Sequence, residues 1–182
     1  DIKRWEDMGL KPVQLSMNLS EKELNRKNLV KVIQEILETT KVDPGKLEFE
    51  LTENIVFQNF NKSLPILEGI KKLGVKLAVD DFGTGYSTLS QLALFDFDTL
   101  KIDQRYAPSV TTSKKDAAIV EGIIAISNNL GMQVVVEGVE NLEQLDFYLK
   151  QNAPTIQGWL FSKAVSSQEM ESLLKKGTIK IK

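Results

Sequence analysis

Six short β-prone runs, each followed by a helical run, constrain this chain's fold more than any other feature. Strands are expected at Val13 to Asn18, Leu47 to Thr52, Val75 to Val79, Thr99 to Ile102, Val134 to Val136 and Ile156 to Phe161. Between them, Leu29, Ile33 and Leu37 recur at helical spacing, as do Leu67, Ile70 and Leu73, and Ile119, Ile123 and Ile126. Ser20 with Glu23, and Ser166 with Glu169, have the spacing of capping boxes. Gly9, Gly74 and Gly131 stand where helices should stop. A short helix is expected around Leu89 and Leu92, and another near Asn141 to Leu149. Pro65 should lie in the first turn of its helix or else kink it. The opening run, with Ile2, Trp5 and Met8, reads as a helix with no strand before it.

The strands are apolar enough to be buried on both faces, as in a parallel sheet. Two architectures fit: a doubly wound sheet or a (β/α)8 barrel. A barrel typically needs eight units and about 250 residues. Six strand–helix units in 182 residues would therefore be a barrel whose first two strands are missing. Such a sheet would have two open edges, and open edges invite pairing with another chain.

Composition narrows the chemistry. Apolar and charged fractions of 42% and 26% are those of one globular domain. A net charge of -2 marks no DNA-binding or membrane-surface protein. No apolar run reaches the roughly 20 residues of a membrane span. Cys is absent, which excludes disulfides and thiolate metal sites and is compatible with a cytoplasmic setting. His is absent too, which rules out Ser-His triads and His-based zinc sites. Any metal must be held by oxygen, which favours magnesium, manganese or calcium. Acid–base work falls to carboxylates, Lys or Tyr.

Polar residues recur at the C-terminal strand ends: Asn18, Glu50 and Glu53, Asp80 and Asp81, Lys101 and Asp103, Glu137, and Gln157. In an α/β barrel these ends meet on the catalytic face. A divalent metal site gives that recurrence one common explanation. Asp80 and Asp81 are the sharpest local signal. Side chains alternate along a strand, so adjacent carboxylates can serve together only where the strand is ending. A carboxylate shared by two ions, with its neighbour on one of them, suits in-line phosphodiester cleavage. Lys101 would add a cation beside a phosphate or an attacking water.

Each residue also has a plainer reading. Asp80-Asp81 before Phe-Gly fits a strand exit with an Asx turn. Glu50 fits an exposed strand residue, and Lys101 a surface lysine or a structural partner of Asp103. Glu137 and Glu140 fit a lead into the next helix. Gln157 fits a residue that satisfies buried backbone groups. Gly83 and Gly85 fit turn glycines, since no phosphate-loop pattern surrounds them. Trp5 and Trp159 read as packing residues rather than base-stacking platforms.

Six segments taken together carry a family resemblance. They are Ser16-Met-Asn-Leu-Ser20, Glu50-Leu-Thr-Glu53, Asp80-Asp-Phe-Gly-Thr-Gly-Tyr-Ser87, Leu100-Lys-Ile-Asp103, Glu137-Gly-Val-Glu140 and Gln157-Gly158. In composition and order they resemble EAL-domain cyclic-di-GMP phosphodiesterases, over essentially the whole chain. The resemblance implies a modified (β/α)8 barrel of TIM type that hydrolyses cyclic-di-GMP to linear pGpG with two Mg2+ or Mn2+ ions. It implies inhibition by Ca2+, whose longer bonds position water less well. By motif match, Asn18, Glu50 and Asp80 would bind one ion, with Asp80 bridging to a second held by Asp81 and Glu137. Lys101 would act on the water or phosphate. Glu53 would hold the loop of Gly83, Thr84, Gly85, Tyr86 and Ser87, through which a homodimer would form. Asp103 and Gln157 would support the site. Sensor or GGDEF domains would be partners in the parent protein, and a parent of this kind can be membrane-anchored.

The departures are few. The Glu-Ala-Leu glutamate is not in the sequence given, so residues 1–182 read as a partial EAL domain that is weak or inactive alone. Val136 and Ala164 stand where the family commonly has Ala and Pro. The alternative to an enzyme is a non-catalytic cyclic-di-GMP receptor or regulatory scaffold. Against it, every downstream metal position has a competent residue.

Overall fold

A computed structural model describes the chain apart from residues 12, 59, 84–91, 152, 154, 180 and 182. Six strands form one sheet: β1 Leu15–Asn18, β2 Leu47–Thr52, β3 Lys76–Phe82, β4 Thr99–Ile102, β5 Gln133–Val136 and β6 Thr155–Ile156. Their order in the sheet is their order in the chain. A doubly wound sheet reverses direction at a switch point. The unbroken order is instead that of barrel winding, with six of its strand–helix units present. The β1–β2, β4–β5 and β5–β6 pairs are parallel, with Asn18 opposite Glu50 and Ile102 opposite Val136.

The chain divides into two compact units. The first comprises Asp1–Leu51, Ile55–Ala78 and Val165–Ile179. Its helices Leu29–Thr40 and Phe60–Lys72 pack together, with Val30 against Gly69, and bury Ile33, Leu67 and Ile70. The opening helix Ile2–Asp7 buries Ile2 and Trp5, and Arg4 donates to Ser167 Oγ at 2.9 Å. The capping boxes at Ser20 and Ser166 both form.

The second unit comprises Thr52–Asn54, Val79–Ala164 and Lys180–Lys182. All four residues of β4 are buried, as a central parallel strand requires. Helix Lys114–Asn129 packs on β4 and β5. The capping box at Asn141 opens helix Leu142–Lys150. Among the described residues no helix is long and apolar enough to cross a membrane.

Several local expectations need correction. The helical run after Ser20 is broken: Glu21–Leu24 and Leu29–Thr40 are separate helices, parted by left-handed Asn28. Pro65 lies inside helix Phe60–Lys72, where the missing N–H leaves the Asn61 carbonyl without that helical bond. Helix Lys114–Asn129 buries Val120, Ile123, Ile124 and Ser127, while Ile119 is exposed, so its packed face is rotated from the expected stripe. Three of the four β1 residues are exposed, because β1 lies at an edge of the sheet. β3 runs on past Val79 to Phe82 and so includes the aspartate pair. β6 stops at Ile156, and residues 158–161 turn instead of extending. The turn is closed by the Phe161 N–H donating to the Gly158 carbonyl, and the Leu160 N–H donates to Val139, which Gly158 approaches closely. A Cβ on Gly158 would lie 2.0 Å from the Val139 carbonyl oxygen. The helix expected around Leu89 and Leu92 falls mostly outside the described residues.

Candidate active site

β3 delivers two adjacent carboxylates to one place by breaking its own alternation. Asp80 is buried at the end of the apolar run Leu77-Ala-Val79. Asp81 has φ +53, in the left-handed region. That conformation costs about 1–3 kcal/mol in a non-glycine residue, and Asp is among those that tolerate it. It turns the Asp81 carboxylate to the side of Asp80. Glu137, the first residue past β5, completes the group: Asp80, Asp81 and Glu137 each offer an oxygen within 4.8 Å of the others.

Lys101 of β4 stands between two of these acids. Its Nζ is 3.1 Å from Asp80 Oδ1 and 2.8 Å from Glu137 Oε1. The ammonium is almost wholly buried, so the plainer reading of Lys101 as a surface lysine fails. Three ionised carboxylates less one ammonium leave two negative charges. Asp103 and Arg105 also act on Asp81, with opposite signs, and do not change that balance. At this spacing each like-charged pair repels by roughly 3–4 kcal/mol at an effective dielectric of 20. Burial pushes the Asp81 carboxyl up from its usual range, and the charges of Asp80 and Asp103 push it further. Lys101 and Arg105 offset part of this.

The donors suit a hard divalent cation. All are carboxylate oxygens, and one such ion would neutralise the residual charge. Asp80 Oδ1 adds a specific signal. It is buried and, although close to Lys101, accepts no hydrogen bond. Its charge is offset by the Lys101 ammonium at 3.1 Å, and a cation would compete with that ammonium for it.

The other candidates sit as follows. Asn18 and Glu50 are register neighbours at the ends of β1 and β2 in the first unit. In the second unit, the buried Glu53 accepts the Gly83 N–H at 2.9 Å. Asp103 accepts the Arg105 N–H at 2.7 Å and opens the 3₁₀ turn Gln104–Tyr106. Gln157 is exposed, and its backbone N–H donates to Val136 at 2.7 Å. Gly83 has φ +93, which favours glycine. Thr84, Gly85, Tyr86 and Ser87 lie outside the described residues.

A recess of about 500 Å³ adjoins Glu137 and is lined by Gln157, Trp159, Lys163 and Ala164 among others. Trp159 is a correction: the expected packing residue is 65% exposed, with Lys163 Nζ 4.9 Å from its ring centre. Trp5 does pack, at 6% exposure. Sequence reasoning also missed three residues. Glu48 is buried and accepts from Ser16 Oγ at 2.8 Å. Its spacing of two from Glu50 was a legible sign of a shared strand face. Arg105 and Tyr106, which meet Gly83, had no such sign.

Comparison with known proteins places this arrangement. The cyclic di-GMP phosphodiesterase NbdA of Pseudomonas aeruginosa is 34% identical over 175 residues, which are 96% of this chain and 22% of that protein. The chain spans about a fifth of the length of the curated relatives it matches: 20%, 19% and 22% for three of them. The crystal structure of the EAL domain of Mycobacterium smegmatis DcpA matches with a TM-score of 0.92 at 34% identity, over 98% of this chain and 81% of that one. A manganese/cy-diGMP complex of Klebsiella pneumoniae BlrP1 matches with a TM-score of 0.81 at 32% identity, over 89% and 42%. The family model for the EAL domain covers residues 1–164. A match of that extent, on a sheet wound in barrel order, means that this chain belongs to the EAL domain family.

Proposed function

We propose that this chain is part of an EAL domain that hydrolyses cyclic-di-GMP to linear pGpG in bacterial second-messenger signalling, with Mg2+ or Mn2+. The observation that carries the reading is the convergence of Asp80, Asp81 and Glu137, with Lys101 between two of them. Similarity to NbdA and to the manganese/cy-diGMP complex of BlrP1 supports the substrate and the metal class.

Asp80, Asp81 and Glu137 would hold one ion. The family resemblance assigns Asn18 and Glu50, together with Asp80, to a further one. Such ions, when bound, neutralise phosphate charge and lower the pKa of water. The chain's own residues do the rest. The carboxylates orient the attacking water, and the Lys101 ammonium lies where it can meet a phosphate oxygen. Water's oxygen bonds to phosphorus and the bond to a ribose 3′ oxygen breaks, which leaves the 5′-phosphate of pGpG. Glu53 holds the Gly83 amide, and so the start of the loop proposed for homodimer contact. Asp103 fixes the turn that follows β4.

The test is turnover of cyclic-di-GMP with each metal in turn, in an eight-stranded EAL domain carrying this chain. Magnesium and manganese should support hydrolysis. Calcium, with bonds of about 2.3–2.6 Å and looser geometry, should occupy the same oxygens and inhibit. Equal turnover with calcium and magnesium would contradict the mechanism. Binding without turnover under any metal would favour the receptor alternative.

The recess beside Glu137 suits a nucleotide. Its exposed indole offers a surface for a guanine base, and Lys163 a cation for a phosphate. Trp159→Ala should raise KM for cyclic-di-GMP about tenfold with little change in kcat, the scale of one lost base–aromatic stack. An unchanged KM would remove Trp159 from the substrate site.

A further inference from the structure

Gly83, the residue by which the chain leaves the aspartate pair, is gripped at both its N–H and its carbonyl, and only one of the grips belongs to the motif residues. Gly83, two residues past Asp81, gives its N–H to the buried Glu53 carboxylate. Its carbonyl accepts from the Tyr106 hydroxyl at 2.9 Å and from Arg105 Nη2. Tyr106 is itself buried, and a Cβ on Gly83 would lie 2.9 Å from its hydroxyl oxygen. The Arg105 guanidinium stands 5.1 Å from the Tyr106 ring centre. Both residues lie in the 3₁₀ turn that Asp103 caps, directly after the strand that carries Lys101.

We propose that Tyr106 is a positioning residue for the carboxylate cluster. Its hydroxyl ties the end of β3 to the end of β4, and thereby holds the left-handed backbone of Asp81. Asp81 is the strained link. Its carboxylate faces Asp80 and Glu137 only while that φ persists, and the like charges there favour its release. Glu53 restrains one side of the Gly83 residue. A second restraint, from the β4 side, is needed to stop rotation about the first. Tyr106 provides it and couples the position of Asp81 to that of Lys101. Outer hydrogen-bond partners of this kind typically change metal affinity by 10–100-fold. A partner one bond further out should act at the low end of that range.

This inference rests on reading the cluster as a divalent-cation site, and the experiment separates the two. Mn2+ binding is measured by electron paramagnetic resonance, without substrate, in the eight-stranded EAL domain carrying this chain as parent, and in its Asp80→Asn and Tyr106→Phe variants. The expected result is tight binding in the parent, loss in Asp80→Asn and about tenfold weaker binding in Tyr106→Phe, with Tm nearly unchanged. Half-saturating Mn2+ for turnover should rise by the same factor, and KM for cyclic-di-GMP at saturating Mn2+ should not move. Parent-like Mn2+ affinity in Tyr106→Phe would overturn the positioning role. So would a fall in Tm with no change in affinity, since that would mark Tyr106 as a packing residue only. Absence of Mn2+ binding in the parent would instead refute the cation site, and the inference with it.

Discussion

Asp80→Asn should lower cyclic-di-GMP turnover about a thousandfold with either magnesium or manganese, the effect of losing roughly 4 kcal/mol of charge stabilisation in the transition state. Asp80 is buried, its Oδ1 accepts no hydrogen bond, and it lies within 4.8 Å of ligand oxygens from Asp81 and Glu137. Replacing a carboxylate oxygen by an amide removes one of the negative charges that attract an ion. It also leaves the Lys101 ammonium, 3.1 Å from that oxygen in the parent, with one counter-charge fewer. Both changes oppose cation binding, so Mn2+ affinity should fall together with turnover. The variant should still fold, because Asn occupies the same volume and relieves like-charge repulsion. Turnover within a few-fold of the parent would remove Asp80 from the metal site.

Lys101→Met should separate two properties that Asp80→Asn changes together. Turnover should fall by about a hundredfold to a thousandfold, the usual cost of losing a preorganised charge at the reacting group. Mn2+ affinity should not fall, and should rise. The Lys101 ammonium is paired with Asp80 and Glu137, so in the metal-free protein it competes for oxygens that an ion would use. Met keeps most of the apolar stem and removes that competitor. The metal-free variant should be less stable, because three neighbouring carboxylates then lose a buried counter-charge. Added Mn2+ should restore its Tm. Weaker Mn2+ binding in Lys101→Met would mean that Lys101 supports the cluster rather than the reaction.

What the sequence determined by itself is what depends on near neighbours in the chain. The six strand–helix units follow from hydrophobic period, and the caps at Ser20, Asn141 and Ser166 form between residues three apart. Absence of His and Cys confined any metal to oxygen ligands. Polar residues at the ends of β3, β4 and β5 marked the carboxylate–lysine cluster, because strands that neighbour one another in sequential order align those ends. The six motif segments named the family. Tertiary structure decided what depends on residues far apart. The unbroken strand order excluded the doubly wound sheet, which local period could not do. Asp81 turns toward Asp80 because its backbone is left-handed, a state held from Gly83 by Glu53, and on our inference by Tyr106. Lys101 bridges Asp80 and Glu137 because three strands meet there, and isolated strand patterns hold no trace of the pairing. Trp159 looked like a core residue, since an apolar strand and an apolar turn have the same composition. The chain turns after Gly158, which packs closely on Val139, and the indole is exposed beside Glu137. Local propensity reads bonds within a few residues. Side-chain direction at a strand exit is set by contacts across tens of residues, and only packing supplies those.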